Sequence, residues 1–249
     1  MTKLWIASVL FGVACVGHAG CTALTDAGRF ERAEDLRVSL SNMGAYVGTR
    51  IEAQLVSGQT GEVEARAVID SLRSPTMDLR MFSALVPGRN YSIQVYADEN
   101  GDAWQTAGEP TWETQVMGGS AEIDGTQPST VDMPLVSGGP FTYELADMTP
   151  HVGQRFELQV FDEDLGRAVG YYRTDAAEIS FTVQIVAIIH AEHTYLVEFY
   201  ADHQNPEGYS FPGDHCWRET YTAEGDELTA SFTHRTPFDE LETFESVDP

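Results

Sequence analysis

The chain has 249 residues, of which 42% are hydrophobic and 10% aromatic, enough apolar material for one large or two ordinary globular domains. Its 39 acidic side chains outnumber its 14 basic ones, and its only lysine is Lys3. Nucleic acids and anionic lipid head groups are bound through Lys and Arg, so this balance excludes both as partners of the protein surface. An acidic surface favours cations or simply solubility.

Residues 1–20 are predicted to form a secretory signal peptide. Lys3 gives a short positive start, residues 4–16 are apolar apart from Ser8, and small residues precede Cys21. The apolar run is too short to span a membrane. We therefore expect the protein to be exported.

Cys21 is the predicted lipidation site. The run from His18 to Cys21, His-Ala-Gly-Cys, resembles the bacterial lipoprotein signal, in which the cysteine is acylated after cleavage. This resemblance implies a protein at the bacterial outer membrane, in the periplasm or on the cell surface, which touches the membrane only through its lipid. The alternative is ordinary cleavage after Ala19, which would give a secreted soluble protein.

The cysteine count depends on that choice. Cys15 leaves with the signal peptide, so only Cys21 and Cys216 remain. If Cys21 is acylated, Cys216 is a lone, packed thiol. If Cys21 is free, the two cysteines can instead form a disulfide in an oxidising compartment.

The chain carries one pattern twice. Both copies run from an apolar strand into Tyr-Ala-Asp, at residues 96–98 and 200–202, and both place an acid three residues before a tryptophan. Further identities recur at an offset of 105 residues. They pair Leu40 with Leu145, Met43 with Met148, Arg50 with Arg155, Glu52 with Glu157, and Gln54 with Gln159. A period this long predicts a domain duplication rather than a solenoid.

Each copy contains short segments of alternating apolar and polar residues, separated by turns about every 8–12 residues. We predict an all-β fold with two tandem immunoglobulin-like antiparallel β-sandwich domains; jelly-roll and transthyretin-like topologies remain open. The predicted order is signal peptide 1–20, tether 21–35, first sandwich 36–136, linker 137–140, second sandwich 141–236 and acidic tail 237–249.

The repeated loop also carries a family resemblance. In the first copy a Pro-Gly turn at residues 87–88 leads through a strand to Asp98-Glu99-Asn100-Gly101-Asp102, and the second copy ends its loop in Asp214-His215-Cys216-Trp217-Arg218. These motifs resemble secreted bacterial β-sandwich proteins and lipoproteins with a Tyr-x-Asp…Asp-His-x-Trp-Arg loop. The resemblance implies the fold and export, and it implies no activity.

The first loop is the predicted calcium site. Five of its residues occupy positions 1, 3, 5, 7 and 12 of a calcium-binding loop, namely Asp98, Asn100, Asp102, Trp104 and Glu109. Alternating oxygen ligands and a final bidentate acid suit a hard cation such as Ca²⁺, although position 6 is Ala103 rather than the usual glycine. The alternative is a solvated acidic turn. The second copy keeps only Asp202 and Asp214, which predicts a weaker site.

The second copy also holds the ligand types of a copper site: Met148, His151, His203, His215 and Cys216. His215 and Cys216 are neighbours on a predicted strand and should point to opposite faces. The alternative is therefore a packed cysteine with surface histidines.

The sequence lacks the motifs of common enzymes, including Gly-x-Ser-x-Gly, His-Glu-x-x-His and a phosphate-binding glycine loop. We therefore predict no enzymatic activity. The predicted function is a cell-envelope binding or structural module with a protein or glycan partner, and the loop residue Trp104 offers a ring that can stack on a sugar. A copper-binding protein is the alternative, and a hydrolase ranks below both.

Overall fold

The structure, a computed structural model, describes residues 33–129, 131, 133–203, 208–239, 241 and 244–247. The signal peptide, Cys21 and nearly all of the predicted tether lie outside the described residues. The described chain contains two short 3-10 helices, Gly44–Tyr46 and Thr149–His151. Its strands are β1 Glu34–Ser41, β2 Arg50–Ser57, β3 Val63–Ile69, β4 Met77–Leu85, β5 Tyr91–Asp98, β6 Thr111–Gln115, β7 Ser120–Asp124, β8 Gly139–Ala146, β9 Phe156–Asp162, β10 Arg167–Thr174, β11 Phe181–Ile189, β12 Thr194–Ala201, β13 His215–Thr222 and β14 Leu228–Thr233.

These strands form three sheets. The largest has eight strands in the order β13-β12-β9-β10-β3-β2-β5-β6, and two smaller sheets have the orders β4-β1-β7 and β11-β8-β14. Each half of the chain thus contributes four strands to the large sheet and builds one small sheet in the same strand order. The predicted all-β class with sandwiches is confirmed, and the duplication itself stays a prediction.

The small sheets depart from the expected antiparallel pairing. In each of them the first strand of its half runs parallel to the last, β1 with β7 and β8 with β14. The first strand lies between two partners, and β4 and β11 pair with it antiparallel. Alternation of side chains predicts that a segment is a strand but carries no information about the direction of its neighbours.

The two halves are joined by strand pairing. β3 of the first half and β10 of the second run parallel, with Ala67 opposite Tyr171 and Val68 opposite Tyr172. The predicted linker is short in the structure, because Gly139 and Pro140 are already the first residues of β8. The sandwiches therefore follow each other along the chain but share one continuous sheet.

The two hydrophobic cores lie on opposite faces of the large sheet. In β2, Ile51, Ala53 and Leu55 face the small sheet of the first half, while Glu52 and Gln54 point to the other face. Across β3 and β10 the faces separate in the same way: Tyr171 enters the first core and Tyr172 the second. Each small sheet thus covers one face of the large sheet over its own half.

The parts of the large sheet that the small sheets leave open are covered by other segments. Over the second half, the C-terminal segment packs Leu241, Phe244 and Val247 against the sheet, all buried. The Arg80 amide of β4 donates to the Val247 carbonyl. The predicted acidic tail is therefore part of the packed structure where it is described. Over the first half, residues 99–110 form the cover, with Ala103 and Gln105 buried.

Candidate functional site

The predicted calcium residues lie together in the loop between β5 and β6. Asp98 ends β5 and is buried, and its carboxylate accepts three backbone amides of its own loop. Gly101 donates to Oδ1 at 2.6 Å, Asp102 to Oδ1 at 3.2 Å, and Ala103 to Oδ2 at 3.0 Å. Arg50 adds an ion pair at 3.6 Å. The Asp98 oxygens, which the sequence predicts as cation ligands, therefore accept hydrogen bonds from the backbone of their own loop.

Most of the remaining loop acceptors are also engaged; the exception is Glu109 Oε1, which is buried without a hydrogen-bond partner among the described residues. Asp102 Oδ1 accepts the Trp104 amide at 2.8 Å, and its Oδ2 accepts the Asn100 side-chain amide at 3.0 Å. Glu109 Oε2 accepts the Thr106 amide at 2.8 Å. Burial raises the pKa of the Glu109 carboxyl, and the nearby charges of Asp98 and Asp102 add to this effect. The loop is thus ordered by its own hydrogen bonds, and calcium binding stays a prediction.

A buried polar network lies beneath this loop. Arg66 is 1% exposed and donates to Glu52 at 3.1 Å, to Gln54 at 2.7 Å and to the Tyr96 hydroxyl at 2.9 Å. Tyr96 in turn donates to Glu52 at 2.7 Å. Gln105 of the loop accepts a hydrogen bond from Gln54 at 2.5 Å, which ties the cover to the sheet. Because these partners leave few groups unpaired, the network favours a structural role.

The second half uses the same sheet positions for a different cover. Glu157, fully buried, accepts hydrogen bonds from the Ser246 hydroxyl and from the Val247 amide, the latter at 2.8 Å. Burial raises the pKa of Glu157, and the amide of Val247 together with Arg173 and Arg155 acts in the opposite direction. The Gln159 side chain donates to the Glu245 carbonyl. The repeated Glu-x-Gln of the sequence therefore marks the attachment of each cover.

The two acids of the weaker predicted cation site, Asp202 and Asp214, are both buried, and cation binding there stays a prediction. Asp214 is buried, and its two oxygens accept the amides of His203 at 2.8 Å and Ser210 at 2.7 Å. Asp202, which corresponds to Asp98 in the repeated Tyr-Ala-Asp, is also buried. Residues 204–207, which separate the two acids along the chain, lie outside the described residues.

Three of the predicted copper ligands meet at one end of the second sandwich, together with a fourth histidine that the sequence reasoning missed. His151 is fully buried, and its Nε2 lies 3.2 Å from His234 Nε2 and 3.4 Å from His215 Nδ1. The His203 ring stacks on His215 with centroids 5.0 Å apart. We call His151, His203, His215 and His234 the histidine cluster.

The electrostatics of the cluster follow from its burial. Burial lowers the pKa of His151 to about 4; its hydrogen bond to Gln154 opposes the shift, and the three other histidines add to it. Burial also lowers the pKa of His215. His151 Nδ1 lies 2.8 Å from Gln154 Oε1. Because that amide oxygen only accepts, Nδ1 carries the proton of neutral His151, and Nε2 holds the lone pair.

Cys216 and Met148 do not belong to this cluster. Cys216 is a buried free thiol in a separate group with Tyr200, Leu241 and Phe244, and it donates to the Asp239 carbonyl at 2.5 Å. Burial raises the pKa of the thiol. Met148 lies in the core of the second half. The alternation of β13 places His215 and Cys216 on opposite faces, so the mixed His/Cys/Met set is wrong as a single site.

A second group of metal-type ligands lies at the other end of the second half, on the turns after β9 and β11. Asp162, Asp164 and His193 bring one ligand atom each within 4.8 Å of one another, the one such trio of His, Cys, Asp or Glu among the described residues. His193 Nδ1 lies 2.7 Å from Asp162 Oδ2. Asp162 Oδ1 accepts the amides of Asp164 and Leu165. These hydrogen bonds hold the two turns together, which gives the group a structural role.

Comparison with models of protein families finds no match, and comparison with curated proteins finds none either. A solved structure from Parabacteroides distasonis, of a protein assigned to cell adhesion, matches with a TM-score of 0.22 and 11% identity, over 84% of this chain and 90% of its own. The shaft pilin of Lactobacillus rhamnosus matches with a TM-score of 0.21 and 9% identity, over 81% of this chain and 96% of its own. Both likenesses are distant, and the sites are interpreted from their own residues. No helix among the described residues is long and apolar enough to cross a membrane.

Proposed function

We propose that this protein is an exported, non-enzymatic module of the bacterial cell envelope, anchored by a lipid on Cys21, and that it acts as a stiff scaffold for a protein or glycan partner. The observation that carries the proposal is the parallel pairing of β3 with β10, which merges the two sandwiches into one sheet. Sandwiches joined only by a flexible linker move independently, whereas a shared sheet fixes their orientation. A fixed orientation suits a spacer or a presenting surface.

The charged groups around the surface cleft between the halves also favour a scaffold over a hydrolase. This cleft has a volume of about 290 Å³ and is lined in part by Arg73, Arg173 and Asp175. Asp175 pairs with Arg173 at 2.8 Å and with Arg73 at 3.7 Å. Hydrolysis needs a nucleophile or base aimed at a substrate position, and paired charges of this kind serve structure instead.

Fractionation of cells that express the full chain tests the anchor. Wild type should sediment with membranes and take up a labelled fatty acid, and Cys21→Ser should be exported but soluble and unlabelled. Cys15→Ser, within the signal peptide, is the matched control and should behave as wild type. A soluble wild-type protein that begins at Gly20 would overturn the lipid anchor. It would leave the scaffold proposal to be judged by the stability measurements below.

A further inference from the structure

The histidine cluster contains more nitrogen atoms around His151 than hydrogen bonding can satisfy. His151 Nε2 has one lone pair, because Nδ1 donates to Gln154. His234 Nε2 and His215 Nδ1 both approach that lone pair, at 3.2 and 3.4 Å. A single lone pair accepts one good N–H donor, so one of the two approaches lacks a full hydrogen bond. A cation that accepts lone pairs from all three rings would satisfy every nitrogen.

The spacing of these nitrogens suits a transition metal. Metal–imidazole bonds of about 2.0–2.1 Å at tetrahedral angles place neighbouring ligand nitrogens about 3.3 Å apart. The two measured separations, 3.2 and 3.4 Å, lie on either side of that value. The third separation does not yet fit: both contacts run through His151, and the facing nitrogens of His215 and His234 lie more than 4.8 Å apart. Binding therefore draws His215 and His234, which are only partly buried, toward a common point.

The surroundings resemble the outer shell of a metal site. A metal-bound histidine usually donates its other ring N–H to an oxygen, and Gln154 accepts from His151 in that way. Aromatic rings enclose the cluster: Trp217 lies 5.5 Å from the His151 ring and Phe238 3.6 Å from the His215 ring, centroid to centroid. Such a shell limits the access of water and orients the imidazoles.

The first half of the chain shows that the fold does not need these histidines. Tyr46 takes the place of His151 and packs edge-on against Trp112 at 5.0 Å, as His151 does against Trp217. Gly125 takes the place of His234: each donates its amide to the end of the first strand of its half, at Ser41 and Ala146. A Cβ at Gly125 would lie 2.6 Å from Met43 Sδ, so the first half has no room for a side chain there.

From these observations we propose that His151 Nε2, His215 Nδ1 and His234 Nε2 bind one divalent transition-metal ion, with His203 beside them as an additional nitrogen ligand. Imidazole ligands suit Zn²⁺, Ni²⁺ and Cu²⁺, and Cu²⁺ binds such sites most tightly among the divalent first-row metals. Each ligand supplies a neutral imidazole lone pair, and protons shared between the rings are released to solvent. The site is separate from the scaffold function proposed above.

The test is titration of the purified mature protein with Zn²⁺ and with Cu²⁺ at pH 7.5. We expect one ion per chain, a melting temperature raised by roughly 5–10 °C at a metal concentration 100 times Kd, and nitrogen hyperfine lines in the Cu²⁺ electron paramagnetic resonance spectrum. His151→Tyr, which copies the first half, should stay folded and bind at least about 100-fold more weakly. Gln154→Leu should weaken binding about 10- to 100-fold.

His193→Gln is the matched control, because it removes a histidine from the Asp162 group and leaves the histidine cluster intact. It should bind both metals like wild type. Binding that survives His151→Tyr but is lost in His193→Gln would overturn the proposal by moving the site to the Asp162 group. Absence of stoichiometric binding in the folded wild-type protein would overturn it outright.

Discussion

Tyr171 of the second half lies opposite Ala67 of the first half, and its ring is buried in the core of the first half. Its hydroxyl donates to the Phe82 carbonyl of β4. A side chain from one sandwich thus completes the interior of the other. The stability of each half should therefore depend on the presence of its partner.

Replacing Tyr171 by alanine tests that dependence. Loss of a buried aromatic side chain costs about 3–5 kcal/mol in the free energy of unfolding, and we expect the cost to appear in both halves. Tyr171→Phe removes only the hydrogen bond to Phe82 and should cost about 1 kcal/mol. Urea unfolding measures both. A Tyr171→Ala variant with one half as stable as in wild type would contradict the shared core.

The C-terminal segment is expected to contribute to stability rather than to trail in solvent. Phe244 is 8% exposed and packs on Tyr200 with ring centroids 4.7 Å apart. Phe244→Ala should lower the free energy of unfolding by about 3 kcal/mol. Replacement of the exposed, unburied Phe211 by alanine is the control and should change it by no more than about 0.5 kcal/mol. Equal stabilities in denaturant would show that the segment does not pack as described.

Asp98 should stabilise the first loop without any metal. Its carboxylate accepts three backbone amides, and Asn offers one acceptor oxygen where Asp offers two. Asp98→Asn should therefore cost about 1–3 kcal/mol in calcium-free buffer. Asp102→Asn, at an exposed position, should cost no more than about 0.5 kcal/mol. Thermal unfolding in the presence of a chelator measures both variants. An Asp98→Asn variant as stable as wild type would show that the hydrogen bonds from the loop amides to Asp98 do not stabilise the loop.

The calcium prediction is checked in the same system. If Asp98, Asp102 and Glu109 also bind Ca²⁺, the melting temperature rises with millimolar calcium at fixed ionic strength, because the ion binds only the folded loop. The double variant Asp98→Asn with Asp102→Asn must then lose that rise. If the melting temperature of the wild-type protein does not change with calcium, the calcium prediction is wrong and the loop is held by its own hydrogen bonds alone.

Acid should weaken the protein through His151. Its pKa is about 4 in the fold and about 6.5 unfolded, so between these values the unfolded chain binds a proton that the folded chain excludes. Its contribution to stability is complete above pH 6.5 and falls as the pH drops, by about 2 kcal/mol between pH 7 and pH 5. The hydrogen-bonding and titratable groups that face His151 are Gln154 and the three other histidines of the cluster.

The variant His151→Tyr isolates the contribution of His151 to the pH dependence of the free energy of unfolding. Glu157 and Glu198 have raised pKa values and so act in the opposite direction, but they do so equally in both proteins. Wild type should therefore lose about 2 kcal/mol more than His151→Tyr between pH 7 and pH 5. Parallel stability curves for the two proteins would show that His151 titrates normally in the fold.

The sequence predicts the elements of the fold better than their assembly. Alternation identifies strands such as β2, and the repeated Glu52-x-Gln54 identifies matched positions, because both depend on local side-chain periodicity. The pairing of β3 with β10 leaves no such trace. Both strands are buried on two faces, and a segment such as Val63–Ile69 reads like any core strand until its neighbour is known.

The sites show the same limit. The five residues of the predicted calcium loop are neighbours both in the sequence and in the structure. Their hydrogen bonds to loop amides depend on backbone turns that the spacing does not reveal. His234 lies far along the chain from His151, and only the parallel pairing of β14 with β8 brings them together. Alternation correctly predicts that Cys216 points away from His215, although the sequence alone leaves Cys216 among the candidate copper ligands.

The central claim, that the two halves form one rigid unit, is tested most directly by urea unfolding followed through two separate tryptophans. Trp112 lies in the first core and Trp217 in the second, so variants in which one of them is the only fluorescent residue left among Trp104, Trp112 and Trp217 report on each half separately. The shared sheet predicts one transition, with the same midpoint and the same slope for both probes. Two transitions with different midpoints would contradict it and restore the picture of independent sandwiches on a linker.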